Sequence, residues 1–390
     1  MMKFNENILI INQYPVSFFK DILVELKEDN NLTLICGEKN NSFPKEIDYI
    51  LFTKYKRGSI KKRLFTWIYF FLKASFYIIL NIQKFDKLII VSNPPFAIFI
   101  SLIFPKKIYL LLFDIYPNII HQLINKKSNL LFYPLKVLIF VWKIFNYFVY
   151  KKADKIITIS HSMAKQILES SIYPIKDVHK IKIIYPWSTL KKNKKRIDTL
   201  AFRKELIKDK RLLLIYSGNM GLSHPLEYLV ESAEIIADFA KIILAGRGSK
   251  KNKLRKYASS IQKNPPLFMD YINNKKFPIF LSCADLCVVC LDGPSGEMSL
   301  PSKLFSIFNC GKPILAICPF KSELSKIVLQ YNCGFVIEPN LDFSDNLFNL
   351  LRKICNEPNL LKIAAQNSGK AAKDFSVKNA LLFKKEFMEN

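Results

Sequence analysis

The feature that most constrains the fold is an alternation that runs through the whole chain. Short apolar runs rich in Ile, Leu and Val alternate with longer amphipathic stretches. Strands that are buried on both faces read as continuous apolar runs, and helical crossovers connect them when they are parallel. The alternation therefore predicts an α/β fold built from doubly wound parallel sheets.

The predicted strands fall into two series separated by a polar, strongly basic stretch at residues 187–200. The first series is 8–11, 32–36, 48–52, 87–92, 107–112, 155–159 and 181–184; the second is 212–216, 241–245, 267–270, 285–291, 313–317 and 334–337. A chain of 390 residues exceeds what one core usually supports.

We therefore predict two Rossmann-like domains, 1–186 and 201–370, joined by a basic linker at 187–200. A C-terminal helix within 371–390 could pack back on the first domain. Ligands of such sheets bind at the carboxyl ends of the strands, so we expect the two domains to face a central cleft that holds the site.

The charge of the chain is strongly positive and unevenly distributed. The formal net charge is +27, and residues 1–200 hold 32 Lys and Arg against 14 Asp and Glu, a net charge of +18. Such charge predicts a nucleic acid, anionic lipid or phosphorylated small molecule as partner. Because apolar runs adjoin the basic residues and no nucleic-acid recognition motif is present, we favour an anionic membrane surface and expect no nucleic acid.

Two apolar segments in the first half approach membrane-spanning length, namely residues 64–80 and 130–150. Each carries lysines in its interior, and a central charge costs ~3 kcal/mol on insertion scales. We favour peripheral, monotopic contact with the inner face of the cell membrane, and leave open both helices packed on a sheet and true spanning. The residues expected to contact the membrane or an acceptor are Lys61, Lys62, Arg63, Trp67, Lys136 and Lys143.

The eight cysteines lie mostly within apolar runs, which predicts buried thiols in a reducing cytoplasm. Cys287 and Cys290 have the spacing of a metal or redox pair. They lie in a predicted strand, however, where side chains three residues apart point to opposite faces. We therefore predict core packing and no metal site.

Two loops rich in glycine follow strands of the second series. The strand at 212–216 leads into Ser217-Gly218-Asn219-Met220-Gly221, with His224 opening the next helix, and the strand at 241–245 leads into Gly246-Arg247-Gly248. Glycines let the backbone approach a ligand, and a helix N-terminus attracts phosphate. The dinucleotide spacing GxGxxG is absent, so a tight structural turn remains the alternative.

The stretch 299–316, SLPSKLFSIFNCGKPILA, predicts a helix that begins at Pro301, Ser302 and Lys303 and ends at Gly311. A lysine in the first turn is unfavourable against the helix dipole unless an anion is present. We therefore favour a phosphate at this helix start over a simple cap. Glu297 in the preceding loop, Tyr271 after the strand at 267–270, and Ser306 are further candidate donor-binding residues.

In the first half, the strand at 107–112 leads into Phe113-Asp114-Ile115-Tyr116-Pro117. A carboxylate just past a buried strand could orient a sugar hydroxyl or accept its proton, although a turn cap is nearly as good an explanation.

Together these motifs resemble family 4 glycosyltransferases of the GT-B fold, in particular bacterial transferases of amino or deoxy sugars in surface polysaccharide biosynthesis. The resemblance rests on Asp114 to Pro117, Ser217 to Gly221, Gly246 to Gly248, and above all on Leu300-Pro301-Ser302-Lys303-Leu304 with Gly311-Lys312-Pro313.

The resemblance implies retaining transfer of a hexosyl or N-acetylhexosaminyl group from a nucleoside diphosphate sugar to a polyprenyl diphosphate-linked acceptor, as in O-antigen or capsule assembly. It implies neither metal ion nor cofactor. The second domain would bind the nucleotide and the first the acceptor. Lys303 would stabilise the leaving diphosphate, and Asp114 would be the second catalytic residue.

The sequence departs from the family at three places. Ser306 stands where glutamate commonly binds the ribose, Tyr185-Pro186-Trp187-Ser188 replaces the usual Pro-Asn-Gly, and Asn12-Gln13-Tyr14-Pro15 replaces a glycine-rich turn. The alternatives are a nucleotide-sugar epimerase of similar fold and a noncatalytic nucleotide-sugar-binding relative. The donor sugar, the acceptor linkage and the oligomeric state do not follow from the sequence.

Overall fold

The chain forms two compact units, Met1–Tyr185 together with Val377–Asn390, and Pro186–Ser376. The computed structural model describes residues 5–56, 60–118, 133–169, 177–190, 196–293 and 300–388. Each unit contains one wholly parallel sheet, as the alternating pattern predicted.

The first unit is built on a seven-stranded sheet of order β3-β2-β1-β4-β5-β6-β7. All seven predicted strands are confirmed: β1 Glu6–Ile11, β2 Asn30–Cys36, β3 Asp48–Leu51, β4 Lys87–Val91, β5 Lys107–Leu112, β6 Lys155–Thr158 and β7 Ile181–Ile183. The described helices are α1 Phe19–Lys27, α2 Ile60–Asn81, α3 Tyr133–Lys152, α4 His161–Glu169 and, from the end of the chain, α13 Asn379–Met388.

One face of this sheet is covered by α2, α3, α4 and the 3-10 segment Pro95–Ile103. Their apolar side chains share one core with alternate residues of the strands, such as Leu9, Ile90 and Leu110. The residues between these point to the opposite face, where Tyr109 of β5 meets Phe387 of α13 with ring centroids 5.4 Å apart. Helix α1 also packs against α13.

Lysines of the sheet hold the C-terminal helix against the first unit. Lys87 in β4 is only 2% exposed, and its Nζ pairs with Glu6 at 2.6 Å and donates to the Phe387 carbonyl at 3.1 Å. Lys155 in β6 pairs with Glu386 at 2.9 Å. The last helix of the chain therefore completes the first unit.

Replacing Lys87 with methionine should destabilise the first unit. The change leaves the Phe387 carbonyl and the Glu6 carboxylate without their buried cation. Because Glu6 retains some contact with water, we expect a loss of about 2 kcal/mol in the free energy of unfolding. Urea titration measures it. Lys384→Met removes pairs with Glu28 and Asp29, whose carboxylates are largely exposed, and should cost less than about 1 kcal/mol. Equal losses in the two variants would contradict the prediction.

The second unit is built on a six-stranded sheet of order β10-β9-β8-β11-β12-β13. The six predicted strands are confirmed: β8 Leu212–Asn219, β9 Ala240–Arg247, β10 Leu267–Met269, β11 Leu286–Cys290, β12 Ile314–Ile317 and β13 Gly334–Ile337. The described helices are α5 Arg196–Leu206, α6 Leu226–Glu231, α7 Lys251–Ala258, α8 Phe277–Cys283, α9 Lys303–Cys310, α10 Glu323–Gln330, α11 Phe343–Asn356 and α12 Asn359–Ala371. The strand order reverses between β8 and β11, which is where parallel sheets bind ligands.

The cysteines follow their predicted environment with one clear exception. Cys287 and Cys290 are both buried in β11, where burial raises the pKa of each thiol. Six of the eight are buried, Cys310 is intermediate, and Cys355 on α11 is exposed. The apolar run that contains Cys355 is one side of an amphipathic helix, so its other side faces solvent.

Candidate active site

The carboxyl ends of β8 and β9 bring two glycines side by side. Both strands run further than predicted, and the ladder pairs Gly218 with Gly246 and Asn219 with Arg247. Gly246 has a φ of 136°, and a Cβ atom there would overlap the Gly218 carbonyl. The two backbones therefore approach each other more closely than side chains would permit.

The Lys303 ammonium occupies the space above Gly218. A Cβ atom added at Gly218 would overlap Nζ of Lys303. The same Nζ lies 5.0 Å from the ring centroid of Tyr216. Desolvation lowers the pKa of Lys303 to about 8, and among the described residues no carboxylate forms an ion pair with it. The lysine is thus a desolvated cation at the carboxyl end of β8, without a described counter-charge.

Helix α9 begins slightly later than the sequence suggested. It starts at Lys303, Ser302 is the N-cap residue, and Pro301 lies one residue before the cap instead of in the first turn. The Leu304 amide bonds the Pro301 carbonyl at 3.0 Å, while the Ser302 hydroxyl makes no capping hydrogen bond within the described chain. The helix ends at Gly311 with a φ of 61°, as predicted. The start of the helix thus combines first-turn amides with a lysine, the two kinds of group that attract an anion.

His224 and Asn219 lie beside Gly221 in the loop after β8. A Cβ atom at Gly221 would come within 2.7 Å of the Asn219 Nδ2 and 3.7 Å of the His224 Nδ1. Desolvation, followed by the charges of Lys303 and Lys250, lowers the pKa of His224 to about 4, although Asp292 acts in the opposite direction. His224 is therefore neutral at neutral pH and can donate or accept one hydrogen bond at each nitrogen.

The structure adds two groups that were not singled out from the sequence. Tyr216 supplies the ring next to Lys303 and donates its hydroxyl to the Asn219 carbonyl at 2.6 Å. Lys250 pairs with Glu227 at 2.7 Å, and its charge acts on His224. Two sequence features could have identified these residues: Tyr216 is an aromatic residue at the end of an apolar run, and Lys250 is a lysine just after a glycine turn.

The remaining candidates of the second unit are more peripheral. Arg247 at the end of β9 is exposed. Tyr271 follows β10, is 62% exposed, and donates to the Asn274 side chain at 3.1 Å. These two strands are one and two positions from β8 toward the sheet edge. Glu297 lies outside the described residues.

Two of the departures from the family pattern contact each other. Ser306 in α9 and Ser188 are hydrogen-bonded through their hydroxyl oxygens, 3.3 Å apart. In the next turn of α9, Asn309 donates to the Leu190 carbonyl at 2.6 Å. Helix α9 thus holds the segment around residues 186–190, and the Ser306 hydroxyl is engaged within the protein.

In the first unit, Asp114 follows β5, next to the end of β4. The Ser92 hydroxyl accepts from the Phe113 amide at 3.0 Å and from the Asp114 amide at 3.2 Å, which fixes the turn. The Asp114 side chain reaches solvent, yet protein atoms surround it closely enough that desolvation raises the pKa of its carboxyl. A carboxylate in this environment is a better proton acceptor than a fully hydrated one.

The sequence assigns Trp67 to a membrane or acceptor surface, which would require its side chain to face outward. The structure shows that it does not. Its ring stacks on Tyr55 at 6.2 Å and meets Phe96 and Tyr116 edge-on. Since Trp67 lies on the side of α2 that also presents the buried residues Phe70 and Ala74, it packs inward.

The basic candidates occupy two settings. Lys61, Lys62 and Arg63 form the exposed start of α2. On α3, Lys136 is exposed and Lys143 is half-buried. The interior Asn146 of α3 is fully buried and donates to the Tyr116 carbonyl at 2.8 Å, so α3 is fixed to the loop that contains Asp114.

Two parallel α/β units of this kind define the GT-B fold. No protein-family model matches the chain. Solved structures do: Anabaena HepE, crystallised with UDP-glucose, has a TM-score of 0.68 at 15% identity, with 98% of this chain and 99% of that chain covered. WaaG, a glycosyltransferase involved in lipopolysaccharide biosynthesis, has a TM-score of 0.68 at 13% identity, with 98% and 100% covered. The GT-B fold predicted from the sequence is therefore confirmed.

Curated relatives are also named as glycosyltransferases, WbjE as a probable one and WcaI as a putative one. WbjE of Pseudomonas aeruginosa is 23% identical over 250 residues, 63% of this chain and 59% of that protein. WcaI of Escherichia coli K12, whose name assigns it to colanic acid biosynthesis, is 27% identical over 179 residues, 45% and 43% of the two chains. A Dictyostelium discoideum chitobiosyldiphosphodolichol beta-mannosyltransferase is 27% identical over 137 residues, 35% and 26% of the two chains.

The matched segments cover less than two thirds of each of these three relatives. The relatives and structural neighbours confirm the resemblance to GT-B glycosyltransferases of the family 4 type that the motifs indicated.

Proposed function

We propose that this chain is a retaining glycosyltransferase that moves a sugar from a nucleoside diphosphate sugar to a lipid-linked saccharide in surface polysaccharide biosynthesis. The observation that carries the proposal is the desolvated Lys303 ammonium, which lies above Gly218 at the start of α9. A cation held in this way has lost part of the hydration that stabilises its charge. The negative charge of a bound diphosphate would stabilise it instead.

The proposed reaction breaks the bond between the sugar C1 and the diphosphate oxygen. It forms a bond from C1 to the acceptor oxygen on the same face of the sugar ring, which keeps the configuration at C1. The diphosphate leaves with the bonding electron pair, and Lys303 with the first amides of α9 stabilises its growing negative charge. Asp114 orients the acceptor hydroxyl and receives its proton. These groups neutralise the leaving group without requiring a metal ion or cofactor in the scheme.

The donor class is supported by the relatives. HepE has a similar fold and was crystallised with UDP-glucose, and the curated relatives are named as transferases of sugars. The epimerase alternative has no such support. A noncatalytic nucleotide-sugar-binding relative would keep Lys303 and lose transfer.

The acceptor class rests on the first half of the chain, which is basic and apolar. A polyprenyl diphosphate acceptor carries negative charge beside a hydrocarbon chain, and both would suit such a unit. We accordingly place the protein at the cytoplasmic face of the cell membrane as a peripheral protein.

A donor panel tests the proposal. The full chain is incubated with radiolabelled nucleotide sugars and with membranes that supply the acceptor, and label is followed into organic-extractable lipid. Transfer from one donor supports the proposal. No transfer from any donor, together with nucleotide binding by calorimetry, would instead identify a binding protein. If the chain shows neither sugar transfer nor nucleotide binding, the proposal is wrong.

Nucleotide binding should weaken above pH 8. Lys303 has a pKa of about 8, so its ammonium is present below that pH and lost above it, and a bound diphosphate favours the protonated form. We expect the Kd of a nucleoside diphosphate to rise by up to roughly tenfold per pH unit above pH 8. Calorimetry from pH 7 to 9 measures it, and Lys303→Met should show weak binding without this slope. An equal slope in the variant would assign the titration to another group.

A further inference from the structure

We infer that the outer sides of α2 and α3 form one membrane-docking face that lies on an anionic bilayer. The docking face consists of Phe65, Leu72, Phe76 and Ile79 of α2 with Val137, Val141 and Phe148 of α3, all between 40% and 69% exposed. It extends the proposed function by assigning a lipid surface to specific residues, but it stands on the exposed side chains and not on the transfer reaction.

Helix α2 is divided along its length into a buried side and an apolar exposed side. Phe70, Ala74 and Ile78 recur at four-residue spacing and are fully buried in the core of the first unit. Phe65, Leu72 and Ile79 recur at seven-residue spacing on the opposite side and are 69%, 56% and 58% exposed. A helix packed on a sheet needs only one apolar side, so the second apolar side is unexplained by folding.

Helix α3 has the same arrangement. Its inward side carries Ile139, Asn146 and Val149, all buried. Val137, Val141 and Phe148 lie on the other side and are exposed.

The exposed sides of the two helices both face away from the seven-stranded sheet. Both helices contribute to the single core that covers one face of the seven-stranded sheet. They flank the same 3-10 segment, where Phe96 contacts Phe71 of α2 at 5.7 Å and Trp142 of α3 at 6.0 Å. Because both helices lie on one face of the sheet, their outward sides form one surface of the unit.

The charge of the two helices favours an anionic lipid surface over another occupant. Within Ile60–Asn81 and Tyr133–Lys152 there are eight Lys and Arg and no Asp or Glu. Lys61 opens α2, and Lys73 flanks its exposed stripe with Nζ 4.7 Å from the Tyr69 ring. A second copy of this face would meet it with like charge, whereas lipid phosphates pair with the lysines while apolar side chains enter the acyl boundary.

Peripheral docking fits this geometry better than spanning does. Among the described residues, one helical stretch, Lys61–Lys84, has the length and hydropathy of a membrane span. Its Phe70, Ala74 and Ile78 belong to the protein core, however. Moving this stretch across a bilayer would remove those side chains from the sheet, while docking buries only the side that is already exposed.

Vesicle flotation of the full chain tests the inference without any sugar donor. The probe is vesicles of phosphatidylethanolamine and phosphatidylglycerol in equal parts, compared with vesicles of phosphatidylcholine alone. The triple variant Phe65→Gln, Leu72→Gln, Phe76→Gln should lose at least about a hundredfold in partitioning, because three large side chains no longer enter the lipid. The matched control is Phe320→Gln, Leu329→Gln, Ile363→Gln, three exposed apolar positions of the second unit, which should bind as the unaltered chain does.

A second pair of variants separates the two forces. Lys61→Gln with Lys136→Gln should lose roughly tenfold or more in binding to the anionic vesicles and little in binding to phosphatidylcholine, because each basic residue contributes only near anionic lipid. Val141→Gln with Phe148→Gln repeats the apolar test on α3, in case the α2 variant unfolds in a thermal scan.

Unchanged flotation of both apolar variants would overturn the inference. So would unaltered protein that fails to float but self-associates in a way that the variants abolish, since a second copy would then cover the face. Nucleotide binding by calorimetry should be unchanged in the apolar variants, so loss of docking is distinguishable from failure of the proposed transfer function.

Discussion

Replacing Lys303 with methionine should reduce kcat/KM for sugar transfer by about a thousandfold or more while leaving the fold intact. The ammonium lies directly above Gly218 and is the one described lysine positioned at the start of α9. Removal of a single preorganised donor to a developing anion typically costs ~10²–10³ in rate. A full positive charge in a desolvated position should lie at or beyond the upper end of that range.

The stability of this variant follows from the sign of the pKa shift. Burial lowers the pKa of Lys303 in the folded protein, so the charged form is less favourable there than in the unfolded chain. At neutral pH the charge therefore opposes folding, and methionine should not lower the melting temperature. Steady-state assays and a thermal scan measure the two effects.

Two further variants make the Lys303 prediction specific. Lys326→Met removes an exposed lysine of α10 in the same unit and should leave transfer unchanged. Lys303→Arg keeps the charge but should recover little activity, because a planar guanidinium does not place its charge where the compact ammonium does. If Lys303→Met kept activity within a few fold of the unaltered protein, the assignment of this lysine to the leaving diphosphate would be wrong.

Replacing Asp114 with asparagine should reduce kcat by about 10²–10⁴, with a smaller change in donor binding. The asparagine has nearly the same shape, and the Ser92 hydroxyl still accepts from the backbone amides of residues 113 and 114. What is lost is the carboxylate that orients and deprotonates the acceptor hydroxyl. Steady-state kinetics with varied acceptor separates this loss from any change in donor affinity.

The pH profile distinguishes Asp114 from a purely structural residue. Desolvation raises its pKa above that of an ordinary aspartate, so transfer by the unaltered protein should increase with pH as this carboxyl ionises. The Asn variant should lack that rising limb. Asp48→Asn, at an exposed carboxylate of β3 in the same unit, is the matched control and should keep it. If the rising limb persists in Asp114→Asn, the group that accepts the proton of the acceptor hydroxyl is not Asp114.

Much of the architecture followed from the sequence because the signal is local. Each strand is a continuous apolar run, since both faces of a parallel sheet are covered, and the thirteen runs coincide with the thirteen described strands. The end of α9 at Gly311 could also be predicted from the sequence, because the residue that ends a helix often has a left-handed conformation, which favours glycine. These features depend on neighbours along the chain.

Other features depended on residues far apart in sequence. The Ser188–Ser306 hydrogen bond joins positions 118 residues apart. Nothing in either stretch indicates the other. Trp67 is of a residue type common at membrane interfaces, but its ring packs against Tyr55, Phe96 and Tyr116, so the side of α2 that carries Trp67 faces inward. Side-chain direction on an apolar helix cannot be read when both of its sides are apolar.

The sequence by itself determined the two parallel α/β units, the end of α9 at Gly311, and the resemblance to GT-B glycosyltransferases. The tertiary structure decided where Lys303 goes. Its side chain leaves α9 and lies above a glycine of β8, 85 residues earlier in the chain. The physical reason is that hydrophobic periodicity in the sequence shows only which side of a helix or strand is buried. Where the Lys303 ammonium loses its hydration depends instead on a strand end distant in sequence, at which a glycine without a Cβ atom leaves space for it.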